Sequence, residues 1–346
     1  MNIAFKSSIK LTNDALQSIR TKSNFTQTPP WNVLFFGTDD FSVYSLRSLY
    51  NKRGSIINQL GIVTTTIRKG KLNPVRKFAS EHKITVHSWP EQIPTNLNHK
   101  PYDIGLVASF GHLIPESVIN QFHYGMINVH ASLLPRWRGA APIIYALANG
   151  DKETGVTIMR IRPKHFDIGE ILMQAKIPIT DDMTLPDLHE KLGNLGAECL
   201  LHTLMDLPEK LQNAKPQPEV GVTFAPKVTP EFAVVRWDSL SSGQICNLDK
   251  AVTGLFCLTT QWNGILVKLH DVTDYTFSDS IFSNCDNNIL RPGFVKFHKK
   301  MLIVLCSVRT CISVKRVGVF GKKVMSASDF NNGYIKKEPL ERRYFR

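Results

Sequence analysis

Over its first two hundred residues the chain alternates short apolar runs with amphipathic stretches. Asn32-Val-Leu-Phe-Phe36 is an almost unbroken apolar run that stops at Gly37, the pattern of a strand buried on both faces. Leu46, Leu49 and Tyr50 then follow at helical spacing. Strand-like runs return at Gln59–Val63, Ile84–His87, Asp103–Ala108 and Gly125–His130, and Pro74–His82 reads as a helix opened by its proline. Ile143–Ala148 predicts a helix and Glu170–Ile177 a strand. A helix is predicted from Thr184 to about Leu207, started by a capping box with Asp187. Strands separated by helices need crossover connections, so the expected fold is α/β with a Rossmann-like, mostly parallel sheet.

After Leu207 the pattern changes. Pro208, Pro216, Pro218 and Pro226 punctuate residues 208–228 and predict a linker. A helix is expected from Ser242 to about Leu255. The runs Leu266–Leu269, Phe294–Phe297, Met301–Leu305 and Ile312–Val317 predict short strands of a small barrel. The expected division is therefore a catalytic domain at 31–207, a linker at 208–228 and a second domain at 229–346. A chain of 346 residues is long enough for two such cores.

Composition adds three constraints. No run of 18 apolar residues occurs, so neither a membrane span nor a membrane partner is expected. The net charge is +13, and residues 287–346 hold 14 Lys and Arg against 3 Asp and Glu. A basic region of that kind suits a polyanion such as a nucleic acid. Six cysteines form no C-x-x-C pair, so no zinc site, disulfide framework or other metal site is expected. Residues 1–30 differ from the rest: Lys6, Lys10, Arg20 and Lys22 stand against Asp14, with Ile9, Leu11, Leu16 and Ile19 as an apolar stripe. That is the composition of a mitochondrial transit peptide.

The candidate chemistry lies in Asn128-Val-His130-Ala-Ser132-Leu-Leu-Pro135-Arg136-Trp137-Arg138-Gly139-Ala-Ala-Pro142 and in Asp167-Ile-Gly169. Two residues apart on a strand, Asn128 and His130 point to the same side, near the strand end where open α/β sheets place ligands. An amide donor can hold a developing oxyanion, an imidazole can move a proton near neutral pH, and a carboxylate can steady the imidazole. These groups suit transfer of an acyl carbon between nitrogens. No Ser or Cys nucleophile sits in a fitting motif, so direct attack by a substrate amine is expected. The absence of G-x-G-x-x-G after the first strand argues against a dinucleotide enzyme. Asn-x-His alone is commonly a hydrogen-bonded strand end and Asp-x-Gly a turn; it is the combined string that points to chemistry.

Asn128-Val-His130, Ser132-Leu-Leu-Pro135-Arg-Trp-Arg-Gly-Ala-Ala-Pro142, Gly155-Val-Thr-Ile-Met159 and Asp167-x-Gly169 resemble the formyltransferases that use 10-formyltetrahydrofolate. The Pro-Arg-Trp-Arg-Gly-Ala-Ala-Pro form is most similar to those acting on methionyl-tRNA, and the likeness runs from about Trp31 to Ser328. The resemblance implies the formyltransferase fold with a C-terminal OB-like β-barrel, and Asn128, His130 and Asp167 as catalytic residues. It also places Ser132, Leu133, Leu134 and Pro135 beside the folate, with the strand end Ser109-Phe110-Gly111 lining the pterin pocket. Initiator methionyl-tRNA is the implied partner. Arg68, in the short basic loop Arg68–Lys71, is a candidate contact for its acceptor end; Lys322 and Lys323 match a family segment in the barrel. Lys296, Lys299, Lys300, Lys315 and Arg316 are further candidates for phosphate contacts. A monomer in the mitochondrial matrix is expected. Where the family usually has Gly-Thr-Pro-x-Phe, this chain has Asp39, so the first loop is expected to be less rigid. Two other readings stay open: a formyltransferase for a sugar nucleotide or other small amine, and a tRNA-binding protein without catalysis.

Overall fold

The computed structural model describes residues 28–346 apart from 66–70, 92, 95, 98–99 and 283–286. The expected transit segment, up to residue 27, and Arg68 therefore lie outside the described residues.

The first half is built on strands β1 (Trp31–Gly37), β2 (Ile57–Thr65), β3 (Val86–Trp89), β4 (Ile104–Ala108), β5 (Met126–His130), β6 (Glu153–Arg160) and β7 (Ile171–Pro178). Their order is β3-β2-β1-β4-β5-β6-β7. The first five run parallel, and β6 and β7 extend the sheet antiparallel. The order reverses between β1 and β4, which is the switch point where sheets of this kind open a crevice. β1 is buried along almost its whole length, as its apolar run requires. Helices α1 (Asp40–Asn51), α2 (Pro74–Glu81), α3 (Pro142–Ala148) and α4 (Leu185–Met205) connect or flank these strands. One core joins one sheet face to α1 and α4, and a second, built from Phe36, Phe110, Phe122 and Met126, fills the other face. The indole of Trp31 donates to the carbonyl of Leu204 at 2.7 Å, locking β1 to the end of α4.

Asp39 is hydrogen-bonded on both sides of the first loop. Its side chain caps α1 by accepting from the backbone N–H of Ser42, and it also accepts from the hydroxyl of Ser109. Thr38 Oγ1 donates to the Ser109 carbonyl at 2.8 Å. The loop is held by hydrogen bonds to the end of β4 where proline would hold it through a fixed φ.

Residues 208–228 are more ordered than a linker. Helix α5 (Leu207–Gln212) lies within them, because Pro208 opens a helix as readily as it ends one. The chain then pairs with the start of β7, where Lys215 and Ile171 exchange backbone hydrogen bonds. The strand expected at 84–87 falls two residues later, and α6 (Ser242–Val252) stops short of Leu255, with Gly254 in the left-handed region.

The second half forms one antiparallel sheet from β8 (Leu258–Trp262), β9 (Ile265–Tyr275), β10 (Val295–His298), β11 (Met301–Leu305), β12 (Cys311–Val319) and β13 (Met325–Ser326). The order is β8-β9-β12-β11-β10, with β13 on β12. The C-terminal residues close the gap between the two outer strands. Arg346 exchanges two backbone hydrogen bonds with Gln261 of β8, while Val295 of β10 donates to Arg343 and Phe345 donates to Gly293. The barrel expected from the sequence is thus completed by a tail the strand pattern did not announce. Phe345 is 1% exposed among Trp237, Trp262 and Phe330.

Phe345→Ala should destabilise the protein by about 3–5 kcal/mol, the range for emptying a buried aromatic site. A urea titration should show a lower midpoint; an unchanged midpoint would contradict the role of the tail as a closing element.

Candidate active site

Asn128 and His130 sit on β5, facing the strand end, and the turn carrying Asp167 folds back onto them. Asp167 Oδ1 lies 3.5 Å from Asn128 Nδ2 and 3.6 Å from His130 Nδ1. Its other oxygen accepts from the backbone N–H of Gly139 at 2.9 Å. His130 and Asp167 are both buried. The three residues chosen from the sequence therefore form one cluster.

The imidazole is oriented by a group the sequence did not announce. His130 Nε2 lies 3.0 Å from the Trp137 carbonyl, which can only accept. In the neutral ring the proton accordingly sits on Nε2, and Nδ1 offers its lone pair towards Asp167 and the strand end. Asp167 faces Nδ1, where its carboxylate can stabilise a proton taken up there.

Local backbone requirements explain Asp167-Ile-Gly169. Asp167 has φ +54, a left-handed conformation that Asp tolerates better than most residues. A Cβ on Gly169 would lie 1.8 Å from the Arg160 carbonyl oxygen, so only glycine permits this approach. Gly139, with φ +125, meets Ala225 in the same way, its hypothetical Cβ 2.6 Å from a carbonyl oxygen.

The loop from Pro135 to Pro142 is anchored through side chains. Arg136 forms a two-point ion pair with Asp151 at 2.8 and 2.6 Å, and hydrogen bonding there holds its guanidinium above the usual arginine range. The Trp137 indole donates to the same carboxylate at 2.8 Å, and the Arg136 guanidinium stacks over its ring. Arg138 reaches Gln217 through two hydrogen bonds of 3.0 and 2.6 Å. The stretch from Gln217 to Ala225, expected to be linker, runs along this loop. Arg138 donates to the Thr223 carbonyl, and Ala225 donates back to Arg138. Gln217, Thr223 and Ala225 were missed because nothing in a proline-rich stretch signals a partner some eighty residues earlier.

Among the expected folate-side residues, Ser132 and Leu134 are buried while Leu133 and Pro135 keep part of their surface. Ser132 Oγ donates to the Arg136 carbonyl at 2.6 Å and so shapes the turn from within. Thr157 and Gln174, also unforeseen, hold this turn: Thr157 bonds Ser132 and Leu134, and Gln174 donates to the Leu134 carbonyl. Leu133 lines a cleft of about 450 Å³ with Arg136, Trp137 and Gln174, which contains none of the three clustered residues.

Lys322 and Lys323 are exposed on the turn joining β12 to β13, in the other sheet. Arg316 forms an ion pair with Asp271 and Lys296 donates to the Ile281 carbonyl, so these two are not simply solvent-facing charges. Lys299, Lys300 and Lys315 are exposed. Among the described residues no group of three or more His, Cys, Asp or Glu side chains could hold a metal ion. No helix among them is long and apolar enough to cross a membrane.

An amide donor, an imidazole and a facing carboxylate at the end of a central strand suit transfer of an acyl carbon to an amine. Comparison with known proteins narrows the class. Residues 57–204 match the formyl transferase family and residues 227–335 its C-terminal domain. The chain is 41% identical over 319 residues to the mitochondrial methionyl-tRNA formyltransferase of Mus musculus, covering 90% of this chain and 81% of that one. It is 35% identical to the methionyl-tRNA formyltransferase of Dictyoglomus thermophilum, covering 87% and 96% respectively. An N-formyltransferase structure from Helicobacter canadensis superposes with a TM-score of 0.59 at 16% identity, over 82% of this chain and 99% of that one. That likeness speaks for the fold. The chain belongs to the methionyl-tRNA formyltransferase family.

Gly169→Ala should push the Asp167 turn away from Asn128 and His130. A displacement of about 1 Å typically costs around 10²-fold in rate, so formylation turnover should fall by at least tenfold. Wild-type turnover in this variant would show that the close approach does not set the carboxylate.

Proposed function

We propose that this protein transfers the formyl group of 10-formyltetrahydrofolate to the α-amino group of initiator methionyl-tRNA, as a monomer in the mitochondrial matrix. The observation that carries this reading is the meeting of Asn128, His130 and Asp167 at the end of β5, in a chain of this family.

The amine nitrogen attacks the formyl carbon, and an N–H of Asn128 takes the charge that grows on the formyl oxygen. His130 Nδ1 accepts the proton released by the attacking nitrogen, and Asp167, 3.6 Å away, stabilises the resulting imidazolium. The bond from carbon to the folate nitrogen then breaks, and the proton passes to that nitrogen. Formylmethionyl-tRNA and tetrahydrofolate leave. The exposed lysines of the barrel, Lys322 and Lys323 among them, hold tRNA phosphates without reading sequence.

Purified protein given methionyl-tRNA and 10-formyltetrahydrofolate should yield formylmethionyl-tRNA, resolved by acid gel electrophoresis. No product from folded protein would overturn the reading. Asn128→Ala should lose about 10²–10³-fold in kcat, as for removal of one oxyanion donor, with tRNA affinity unchanged.

The tRNA dissociation constant should rise steeply with salt. Replacing Lys322 or Lys323 by Ala should reduce the slope of log affinity against log salt by about 1 for each phosphate that the variant no longer neutralises. A slope identical to wild type in both variants would remove this turn from the tRNA site.

A further inference from the structure

We propose that Gln217 is a positioning residue for formyl transfer, acting through Asp167. The inference rests on Asp167 serving the reaction as described above.

A glutamine amide offers two acceptor positions and two donor hydrogens. Gln217 uses all four within the protein. Its oxygen accepts from Arg138 Nε and Nη2 at 3.0 and 2.6 Å. Its nitrogen donates to the carbonyls of Asp167 and Gly169, both at 2.9 Å. Those two carbonyls bracket the turn in which Asp167 holds its left-handed backbone. The guanidinium on the other side belongs to the loop whose Gly139 N–H holds the Asp167 carboxylate and whose Trp137 carbonyl orients His130. One amide therefore joins the turn that supplies the carboxylate to the loop that supplies its hydrogen-bond donor and the base's orienting carbonyl.

The residue type is tightly specified. Glutamate could accept from Arg138 but could not donate to the carbonyls; lysine or arginine could donate but would meet a guanidinium with no acceptor. Removing the amide leaves two carbonyls without these donors and Arg138 without this acceptor. The gaps from Asp167 to Asn128 and His130 are already 3.5 and 3.6 Å. A small drift of the turn separates them further, whereas the barrel, where exposed lysines are proposed to grip tRNA, is untouched. The expected consequence is a loss in kcat with little change in substrate binding.

The test uses the full chain and single-turnover formylation with enzyme in excess, so that slow variants remain measurable, alongside steady-state KM values. Gln217→Ala should form product about 10²-fold more slowly, the usual cost of a displacement near 1 Å, with both KM values within about twofold of wild type. Gln217→Glu preserves the shape and the Arg138 contact, and should be as slow as the alanine variant. Asp167→Asn alone tests the underlying role: wild-type turnover there would refute the reading of Asp167 whatever Gln217 does. With Asp167→Asn slow, adding Gln217→Ala should cost less than about threefold more, because the group it positions is already gone. Fully additive losses, or wild-type turnover in Gln217→Glu, would overturn the proposal.

Discussion

Asp167 occupies a left-handed turn, a conformation that costs an L-residue on the order of 1 kcal/mol. Yet it must present its carboxylate to two neighbours at once. The surrounding structure meets that demand from three directions. Gly169 packs its backbone against Arg160, Gln217 binds the two carbonyls of the turn, and the Gly139 N–H grips the carboxylate itself. The rest of the site depends on this one constraint, because neither Asn128 nor His130 can act with Asp167 unless the turn stays folded over the end of β5.

The loop from Pro135 to Pro142 divides its work between side chains and backbone. Arg136 and Trp137 face Asp151, and Arg138 faces Gln217; these contacts fix the loop to the protein. Its backbone then does the orienting: the Trp137 carbonyl fixes the imidazole and the Gly139 N–H fixes the carboxylate. The long arginine- and tryptophan-rich string that points so specifically to one family is therefore, in its side chains, largely a scaffold. What the loop offers His130 and Asp167 is two peptide groups held in place.

What could be read from the sequence was local. The apolar runs of β1, β4 and β5 are buried on both faces, so their hydrophobicity announced them. Asn128 and His130 could be paired because strand geometry relates residues two apart. Asp167 was singled out by the combined string, and the structure shows why glycine follows it two residues on: any side chain there would clash with Arg160. What escaped detection was partnership across long separations. Gln217 lies 79 residues from Arg138, and the C-terminal tail closes the barrel against Gln261. Pro208 and Pro216 announced breaks in the chain, but proline also begins helices and borders strands, so the expected linker stretch carries a helix and runs along the loop from Pro135 to Pro142. Charge was equally ambiguous: Arg316 contributes to the basic count yet spends its guanidinium on Asp271.

The attachment of the barrel to the site follows from the same architecture. Helix α3 leaves the loop from Pro135 at Pro142 and packs against α6, while Tyr145 on α3 meets the ring of Phe232 at 5.2 Å. The Gln217–Ala225 stretch runs beside that loop and leads into the second half. Lysines on a barrel hold phosphates in a way that is indifferent to sequence. They cannot tell an aminoacylated tRNA from one that carries no amino acid, because both present the same phosphates. On the function proposed above, that distinction is made where the free amine would meet Asn128, His130 and Asp167. On that function, binding strength and chemical selection fall on different halves of the molecule, and the packing of α3 on α6 is where the two halves meet.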